Sequence, residues 1–260
     1  MMKKRPVLLA LTLLVSGFSQ AEAPSVSPAD SEEAVAKNVV KSVPLPLDGL
    51  VAAKDKNGND VIVSTNGRYF LKGYLQDVFT NKQIKTVDDA VDAQYLTLAN
   101  MGLNLVDIGT IPYGNPKLPL QARIMVDPYC ASCTDLLRKL SEHRDEVHVE
   151  IMLTPIAGQM SIKTALNLWC TYEVDYDKGR EVVELLMKGK PYPELPEQPT
   201  CKGQRLLLNT MLTRTFNLKG VPAIWRVDGL AQPGIPNDLL AFLNERRPSD
   251  ESSDESVVSK

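Results

Sequence analysis

The sequence predicts a mixed protein of the α/β or α+β class, in which a small amino-terminal β-meander precedes a larger α/β domain. Two Asn-Gly pairs, Asn57-Gly58 and Asn66-Gly67, separate short β-type runs, which is a strong hairpin signal. From residue 120 onward, strand-like and helix-like segments alternate, as they do in α/β folds. An amphipathic stretch between the two regions predicts a linking helix.

The composition excludes several classes of protein. The chain has 260 residues, of which 43% are hydrophobic, so it can bury a sizeable core and is not wholly disordered. Its 4 cysteines are too few for a small scaffold held together by disulfides. A net charge of -3 gives no basic excess, so we expect no nucleic-acid partner.

Residues 1–21 have the pattern of a secretory signal peptide. Lys3–Arg5 form a basic start, and the apolar run that follows is about 12 residues long, against the ~20 that a membrane-spanning helix needs. Cleavage after Ala21 is favoured over cleavage after Ala23, because Pro24 would follow the second bond. An uncleaved membrane anchor is the alternative. We therefore expect an exported protein without membrane insertion after cleavage, in a compartment that permits disulfides.

Two segments near the ends are rich in Ser and acidic residues, a composition that buries too little apolar area to fold. Residues 22–47 are predicted to be a flexible lead-in, with a short helix around Ser31 to Val39. Residues 247–260 are predicted to be a disordered acidic tail.

Residues 48–85 form the predicted β-meander. Its strands are expected at Gly49–Ala53, Val61–Ser64 and Arg68–Leu75. A meander of so few residues cannot enclose a hydrophobic core alone. We therefore expect it to pack on another surface, and a second copy of the meander is one candidate. Residues 86–102 form the predicted linker helix, with Gly102 at its end.

Residues 103–246 form the predicted α/β domain. Its strands are expected at Ala122–Val126, Val147–Leu153 and Ala223–Val227. Its helices are expected at Cys130–Glu142, Ile162–Glu173, Lys178–Met187, Gln204–Phe216 and Asp238–Glu245. Three of these helices lie between the second and third strands, so they are a helical insertion in an alternating layout.

Cys130 and Cys133 form a C-x-x-C pair at a strand-to-helix junction. The first sulfur then lies at a helix N-terminus, where unpaired N–H groups and the dipole stabilise a thiolate. Cys130 is therefore the expected nucleophile, and Cys133 the resolving thiol.

The C-x-x-C pair has alternative interpretations. A zinc site would need two more ligands, and the sequence has no second C-x-x-C pair to supply them. Haem attachment would need His directly after the second cysteine, where this sequence has Thr134. A purely structural disulfide is a further alternative, but so short a loop gives it little entropic gain. We expect no metal, and no cofactor other than this redox pair.

Two further motifs lie in the same domain. Cys170 and Cys201 are 31 positions apart, and for such a pair in an exported protein the default is a structural disulfide worth roughly 3–4 kcal/mol. Gly220-Val221-Pro222-Ala223 precedes the third predicted strand. Taken alone, this proline can be an ordinary strand start, since only about 5–6% of X–Pro bonds are cis.

In combination, these motifs resemble the periplasmic thiol:disulfide interchange proteins of the DsbC/DsbG disulfide isomerase family. The resemblance covers roughly residues 48–246. It rests on Asp127-Pro-Tyr-Cys-Ala-Ser-Cys133, Cys170, Cys201, Gly220-Val-Pro-Ala223 and Pro233–Glu245. It implies a thioredoxin-like catalytic domain with a helical insertion, joined by a helix to an N-terminal dimerisation domain. It also implies a V-shaped homodimer, a cis Pro222 against the active-site disulfide, and a strand-like contact of the substrate chain with the Val221 backbone.

The function implied by this resemblance is a periplasmic isomerase or reductase that rearranges incorrect disulfides in misoxidised exported proteins. An inner-membrane reductase of the DsbD type would keep its dithiol reduced. Ala131-Ser132 replaces both the Gly-Tyr common in the isomerases and the Pro-His of the oxidase DsbA, so the direction of electron flow stays open. The alternatives are a dithiol oxidase of the same fold, a redox-independent holdase chaperone, and a scaffold in an envelope machine.

Four other side chains have simpler interpretations. Tyr129 is expected to line the substrate cleft, because it precedes the nucleophile. Asp127 either tunes the proton of the neighbouring thiol or is an exposed acid at a strand end. Trp169 and Trp225 are expected in the core.

Overall fold

The structure, a computed structural model, describes residues 39–174, 176–189, 191–193, 195, 201 and 203–247. The predicted signal peptide, most of the predicted lead-in and the acidic tail beyond Arg247 lie outside these ranges. Within them, the chain forms a four-stranded sheet, a two-stranded ribbon, a five-stranded sheet and the helices around them. No helix in these ranges is long and apolar enough to cross a membrane.

The amino-terminal sheet is an antiparallel meander in the order β1-β2-β3-β4. Its strands, followed by those of the ribbon, are β1 (Val39–Pro44), β2 (Leu50–Asp55), β3 (Asp60–Ser64), β4 (Phe70–Leu71), β5 (Leu75–Gln76) and β6 (Gln83–Ile84). The predicted turn between β2 and β3 is present, with Gly58 at a φ of 83°. The Asp55 carboxylate closes this turn by accepting hydrogen bonds of 2.8 Å from the N–H groups of Asn57 and Asn59.

The meander differs from the prediction in three ways. The predicted third strand, Arg68–Leu75, is shortened to β4, and Leu75 begins β5 of the separate ribbon. Strand β1 lies inside residues that were predicted to be a flexible lead-in, and it pairs with β2. Helix α1 (Val87–Asp92) packs on the sheet, and the two elements share a small apolar core. That core consists of Leu45, Ala52, Ile62, Ile84, Val87 and Ala90. The meander therefore has a core within its own chain, so the lack of one is not an argument for a second copy.

The predicted linker helix over residues 86–102 is too long, because α1 ends at Asp92. Beyond it, Tyr95 forms an antiparallel β-bridge with Leu230. The N–H of the next residue donates a hydrogen bond of 3.0 Å to the carbonyl of Gly229. These contacts with a segment far away in sequence hold the chain extended where the apolar periodicity predicted further helical turns.

The carboxyl-terminal sheet has five strands in the order β11-β10-β8-β9-β7. They are β7 (Ile111–Gly114), β8 (Ala122–Val126), β9 (His148–Leu153), β10 (Ala223–Arg226) and β11 (Ala231–Pro233). The helices are α2 (Ala131–Glu142), α3 (Gln159–Val174), α4 (Tyr176–Lys188), α5 (Gln204–Thr215) and α6 (Leu239–Asn244). β8 and β9 are parallel, and the other neighbouring pairs are antiparallel. The predicted mixed α/β class is confirmed, with three helices inserted between β9 and β10.

The two central strands, β8 and β9, bury both of their faces. Ile124 and Ile151 belong to the larger core cluster, on the face covered by α2 and α3. Met125 and Met152 point to the opposite face, where they pack in a second cluster with Trp225. This alternation follows from the two-residue period of a strand, and burial on both faces explains why β8 is apolar at nearly every position.

Trp225 also contacts the segment that follows α1, and the loop before β10 contacts the meander. The indole N–H of Trp225 donates a hydrogen bond of 3.0 Å to the carbonyl of Leu96. Asp48, in the loop between β1 and β2, accepts a hydrogen bond of 2.9 Å from Asn217 and forms an ion pair with Lys219. The loop between α5 and β10 therefore contacts the amino-terminal part of the chain.

Cys170 on α3 is disulfide-bonded to Cys201, which precedes α5, and their Cα atoms are 5.6 Å apart. We expect the variant Cys170→Ala/Cys201→Ala to lose about 3–4 kcal/mol of unfolding free energy, because the bond closes a long loop in the unfolded chain. Urea unfolding of both proteins measures the difference. The matched control Cys130→Ala/Cys133→Ala removes a disulfide that closes a much shorter loop. It should therefore lose less unfolding free energy than the first variant. A loss equal to that of the control would contradict the expectation.

Candidate redox site

The site begins where β8 ends and α2 begins. Cys130 is the N-cap residue of α2, and its Sγ accepts a hydrogen bond of 3.2 Å from the N–H of Cys133. The two cysteines are disulfide-bonded, with their Cα atoms 5.2 Å apart. Cys130 is partly exposed, whereas Cys133 is only 1% exposed. A reagent in solution can therefore reach the first sulfur but not the second.

Asp127 holds the loop that leads into α2. Its side chain is only 2% exposed, so it is not the exposed strand-end acid that the sequence allowed. One carboxylate oxygen accepts a hydrogen bond of 2.7 Å from the N–H of Tyr129. The other accepts bonds of 2.6 Å and 2.7 Å from the N–H groups of Ile156 and Ala157, which follow β9. These three donors satisfy the buried charge and fix two loops against each other.

The cis-proline loop lies beside the exposed sulfur. The peptide bond between Val221 and Pro222 is cis. The carbonyl oxygen of Val221 is 3.4 Å from Cys130 Sγ, within reach of a hydrogen bond from the reduced thiol. The carbonyl of Pro222 accepts a hydrogen bond of 2.8 Å from Gly234, which fixes this loop to the end of β11. Within the described part of the chain, the N–H of Val221 has no hydrogen-bond acceptor, so it can pair with an extended chain from outside.

A groove runs along this loop. It has a volume of about 360 Å³, and Ser132, Lys219, Val221, Pro222 and Pro233 are among the residues that line it. The hydroxyl Oγ of Ser132 is 3.3 Å from Cys130 Sγ. The groove therefore lies along the cis-proline loop, and Ser132 is the residue of the C-x-x-C segment that lines it. We refer to it below as the cis-proline groove.

Two tyrosines lie on the other side of the Asp127 loop. The rings of Tyr129 and Tyr192 are 6.5 Å apart, and the Tyr129 hydroxyl is 3.4 Å from Thr164 Oγ1 on α3. Burial, followed by the negative charge of Asp127 and by Tyr129, raises the pKa of Tyr192 to about 12. Tyr192 was not predicted from the sequence, because it lies in the proline-rich loop of the insertion and belongs to no motif.

The structure brings most of the predicted site residues together. Cys130 Sγ lies 3.4 Å from the carbonyl oxygen of Val221, which precedes the cis Pro222. Tyr129 packs on Tyr192 and is not among the residues that line the cis-proline groove. The second disulfide lies within the helical insertion, and neither of its cysteines lines the cis-proline groove. In the described ranges, no three His, Cys, Asp or Glu side chains are grouped so that they could hold a metal ion. The disulfide itself has one reachable and one buried sulfur, which is the arrangement that thiol-disulfide exchange requires.

The variant Asp127→Asn should lose about 2–3 kcal/mol of unfolding free energy. The amide keeps one acceptor oxygen but turns an NH₂ group toward backbone N–H donors, which leaves buried groups unsatisfied. Urea unfolding monitored by circular dichroism measures the loss. The control Asp135→Asn makes the same chemical change at an exposed position on α2 and should stay within about 0.5 kcal/mol of the parent protein. Equal stability of the two variants would contradict the role assigned to Asp127.

No protein-family model and no curated protein sequence matches the chain. Several solved structures are similar to it. One is the catalytic domain of Proteus mirabilis ScsC, with 21% sequence identity over 54% of this chain and 89% of the other, and a TM-score of 0.43. A second is the thiol-disulfide exchange protein alpha-DsbA2 from Wolbachia pipientis, with 16% identity over 65% and 97% and a TM-score of 0.46. A third is Helicobacter pylori DsbG, with 17% identity over 76% and 99% and a TM-score of 0.38.

Proposed function

We propose that the protein is a thiol:disulfide oxidoreductase that works as an isomerase or reductase on misoxidised exported proteins. One observation carries this proposal. A partly exposed sulfur caps a helix beside the carbonyl of Val221, and its partner sulfur is buried behind it. This arrangement separates an attacking thiol from a resolving thiol. The unpaired N–H of Val221 also offers a hydrogen bond to an extended substrate chain.

The reaction begins from the reduced pair. The thiolate of Cys130 attacks one sulfur of an incorrect client disulfide, so a mixed disulfide forms and the other client sulfur leaves as a thiolate. In isomerisation, another client thiolate then attacks the client sulfur of the mixed disulfide. A new client disulfide forms, Cys130 leaves as a thiolate, and no electrons are transferred overall.

In reduction, Cys133 attacks the sulfur of Cys130 instead. The pair becomes oxidised, and the client leaves with two electrons added. An electron donor must then reduce the pair again, and an inner-membrane reductase of the DsbD type would fill that role in the periplasm. The buried position of Cys133 supports this division, because a buried thiol meets the mixed disulfide from inside the protein rather than competing for clients.

A dithiol oxidase is the second candidate, and the hydroxyl of Ser132 favours it. This hydroxyl and the N–H of Cys133 lie 3.3 Å and 3.2 Å from Cys130 Sγ. Donors at these distances stabilise the thiolate of the reduced pair, and a stabilised reduced form makes a disulfide more oxidising. The redox state in cells separates the two candidates, since an isomerase is held reduced and an oxidase is held oxidised.

A homodimer joined through the meander is part of the proposal. Strand β4 is one of the two edge strands of the amino-terminal sheet, and an unpaired edge can accept a strand from another chain. Its Phe70 is 71% exposed and the neighbouring Tyr69 is 59% exposed, which is unusual for large apolar side chains at a free surface. Sedimentation equilibrium decides the question, and a monomer at micromolar concentration would contradict the proposal.

The most direct test is to trap reaction intermediates in cells. We expect Cys133→Ala to accumulate mixed disulfides with exported proteins, because the resolving thiol is absent. Non-reducing gels, with identification of the partners after reduction, measure this. The control Cys130→Ala/Cys133→Ala should form none. We also expect Cys130→Ala to lose disulfide reduction at least about 1000-fold, because Cys133, the one thiol left in the pair, is buried. Full biological activity of Cys130→Ala would favour the holdase or the scaffold instead.

A further inference from the structure

We propose that the cavity between the helical insertion and the edge of the five-stranded sheet binds a small aromatic carboxylate. This cavity lies apart from the redox pair, since none of the four cysteines is among the residues that line it. The inference therefore does not rest on the proposed function. It adds a ligand class to the protein: a small molecule with an apolar aromatic body and a single negative charge.

The cavity has a volume of about 600 Å³, which is within the range of small-molecule sites, roughly 300–1,000 Å³. Helices α3, α4 and α5 form one side of it. The other side consists of a short 3₁₀ helix (Leu105–Asp107) and the residues that lead into the edge strand β7. The helical insertion therefore creates a concave site that the sheet alone does not have.

The walls of the cavity are aromatic and aliphatic. The rings of Trp169 and Tyr172 lie 5.8 Å apart, and Val183 adds an aliphatic surface from α4. On the 3₁₀ helix, Leu105 and Val106 are 50% and 70% exposed, so their apolar surface remains in contact with water. An aromatic ring bound in the cavity would cover part of that surface, and such burial favours binding.

The charged residues that line the cavity leave one positive charge without a partner. Arg205 forms an ion pair of 2.9 Å with Glu173 and lies over the Trp169 ring, 5.9 Å from its centre. Arg180 is exposed, and it has no hydrogen bond or ion pair within the described part of the chain. One anionic group of a ligand would balance the Arg180 charge, whereas a second anionic group would find no free cation.

The indole N–H of Trp169 also lacks a partner. Trp169 is only 3% exposed, and its Nε1 has no hydrogen-bond acceptor among the described residues. A buried donor that has lost water without gaining an acceptor destabilises the fold. An occupant with oxygen atoms would supply an acceptor that the chain itself does not provide, so an oxygen-bearing ligand fits better than a hydrocarbon.

These features together favour a small acid over other occupants. An inorganic anion would gain the contact with Arg180 but would leave Leu105 and Val106 in water. A neutral apolar molecule would cover those side chains but would leave the charge of Arg180 unbalanced. A basic ligand would be repelled by the free guanidinium. An aromatic carboxylate satisfies both the apolar wall and the unpaired charge.

The test uses phenylbutyrate and its amide, phenylbutyramide, which has the same shape but no charge. Isothermal titration calorimetry of the full chain with each probe measures the two dissociation constants. We expect the carboxylate to bind about fivefold more tightly than the amide, which is the upper range for an ion pair with an exposed arginine.

Nuclear magnetic resonance of the isotope-labelled chain locates the bound probe, because the protein has two tryptophans and therefore two indole N–H signals. They are assigned by nuclear Overhauser effects to Tyr172 and Phe216, whose rings lie 5.8 Å and 4.9 Å from those of Trp169 and Trp225. The signal of Trp169 should shift when phenylbutyrate binds. The signal of Trp225, which does not line the cavity, should not.

The variant Arg180→Gln should remove the advantage of the carboxylate, so that the two probes bind with equal affinity. Its affinity for the amide should equal that of the parent protein. The matched control Arg214→Gln changes an exposed arginine of α5 that does not line the cavity, and it should keep the fivefold ratio.

The inference is supported if the preference for the carboxylate is lost with Arg180→Gln and kept with Arg214→Gln, and if the Trp169 signal shifts. It is overturned if phenylbutyrate does not bind at millimolar concentration, if the parent protein binds both probes equally, or if only the Trp225 signal shifts. Displacement of phenylbutyrate by an equal concentration of inorganic phosphate would assign the site to anions in general and would also overturn it. Failure of the reduced chain to react with any disulfide would overturn the proposed function alone.

Discussion

The carboxylate of Asp127 joins the two loops that meet at the carboxyl ends of the parallel strands β8 and β9. It is buried, and it accepts backbone N–H donors from the loop before α2 and from the loop after β9. A buried charge is tolerated only when its hydrogen bonds are complete, so neither loop can move without exposing an unsatisfied group. Because Cys130 directly follows this loop and caps α2, the position of the reactive sulfur depends on the same contact.

The chemistry follows from that position. The sulfur of Cys130 lies at the N-terminal end of α2, next to a hydroxyl and beside the cis-proline loop, while Cys133 is packed in the apolar core. One thiol is therefore open to clients and the other is reserved for resolution.

The sequence predicted the elements that depend on neighbouring residues. The alternating strands and helices, the start of α2 near Cys130 and the hairpin at Asn57-Gly58 all follow from local patterns. The errors occurred where distant residues decide the conformation. The linker helix stops early because Tyr95 pairs with Leu230, and β1 exists because β2 offers it a partner. The burial of Asp127 was left open for the same reason, since two of its three donors come from residues about 30 positions later.

The fold makes one thiol of the pair reachable and keeps the other inaccessible. The most direct measurement is alkylation of the reduced protein with iodoacetamide at neutral pH, followed over time by peptide mass spectrometry. We expect Cys130 to be modified while Cys133 stays unmodified over the same period, and we expect prior denaturation to abolish the difference. Equal modification of both thiols in the folded protein, or faster modification of Cys133, would contradict it.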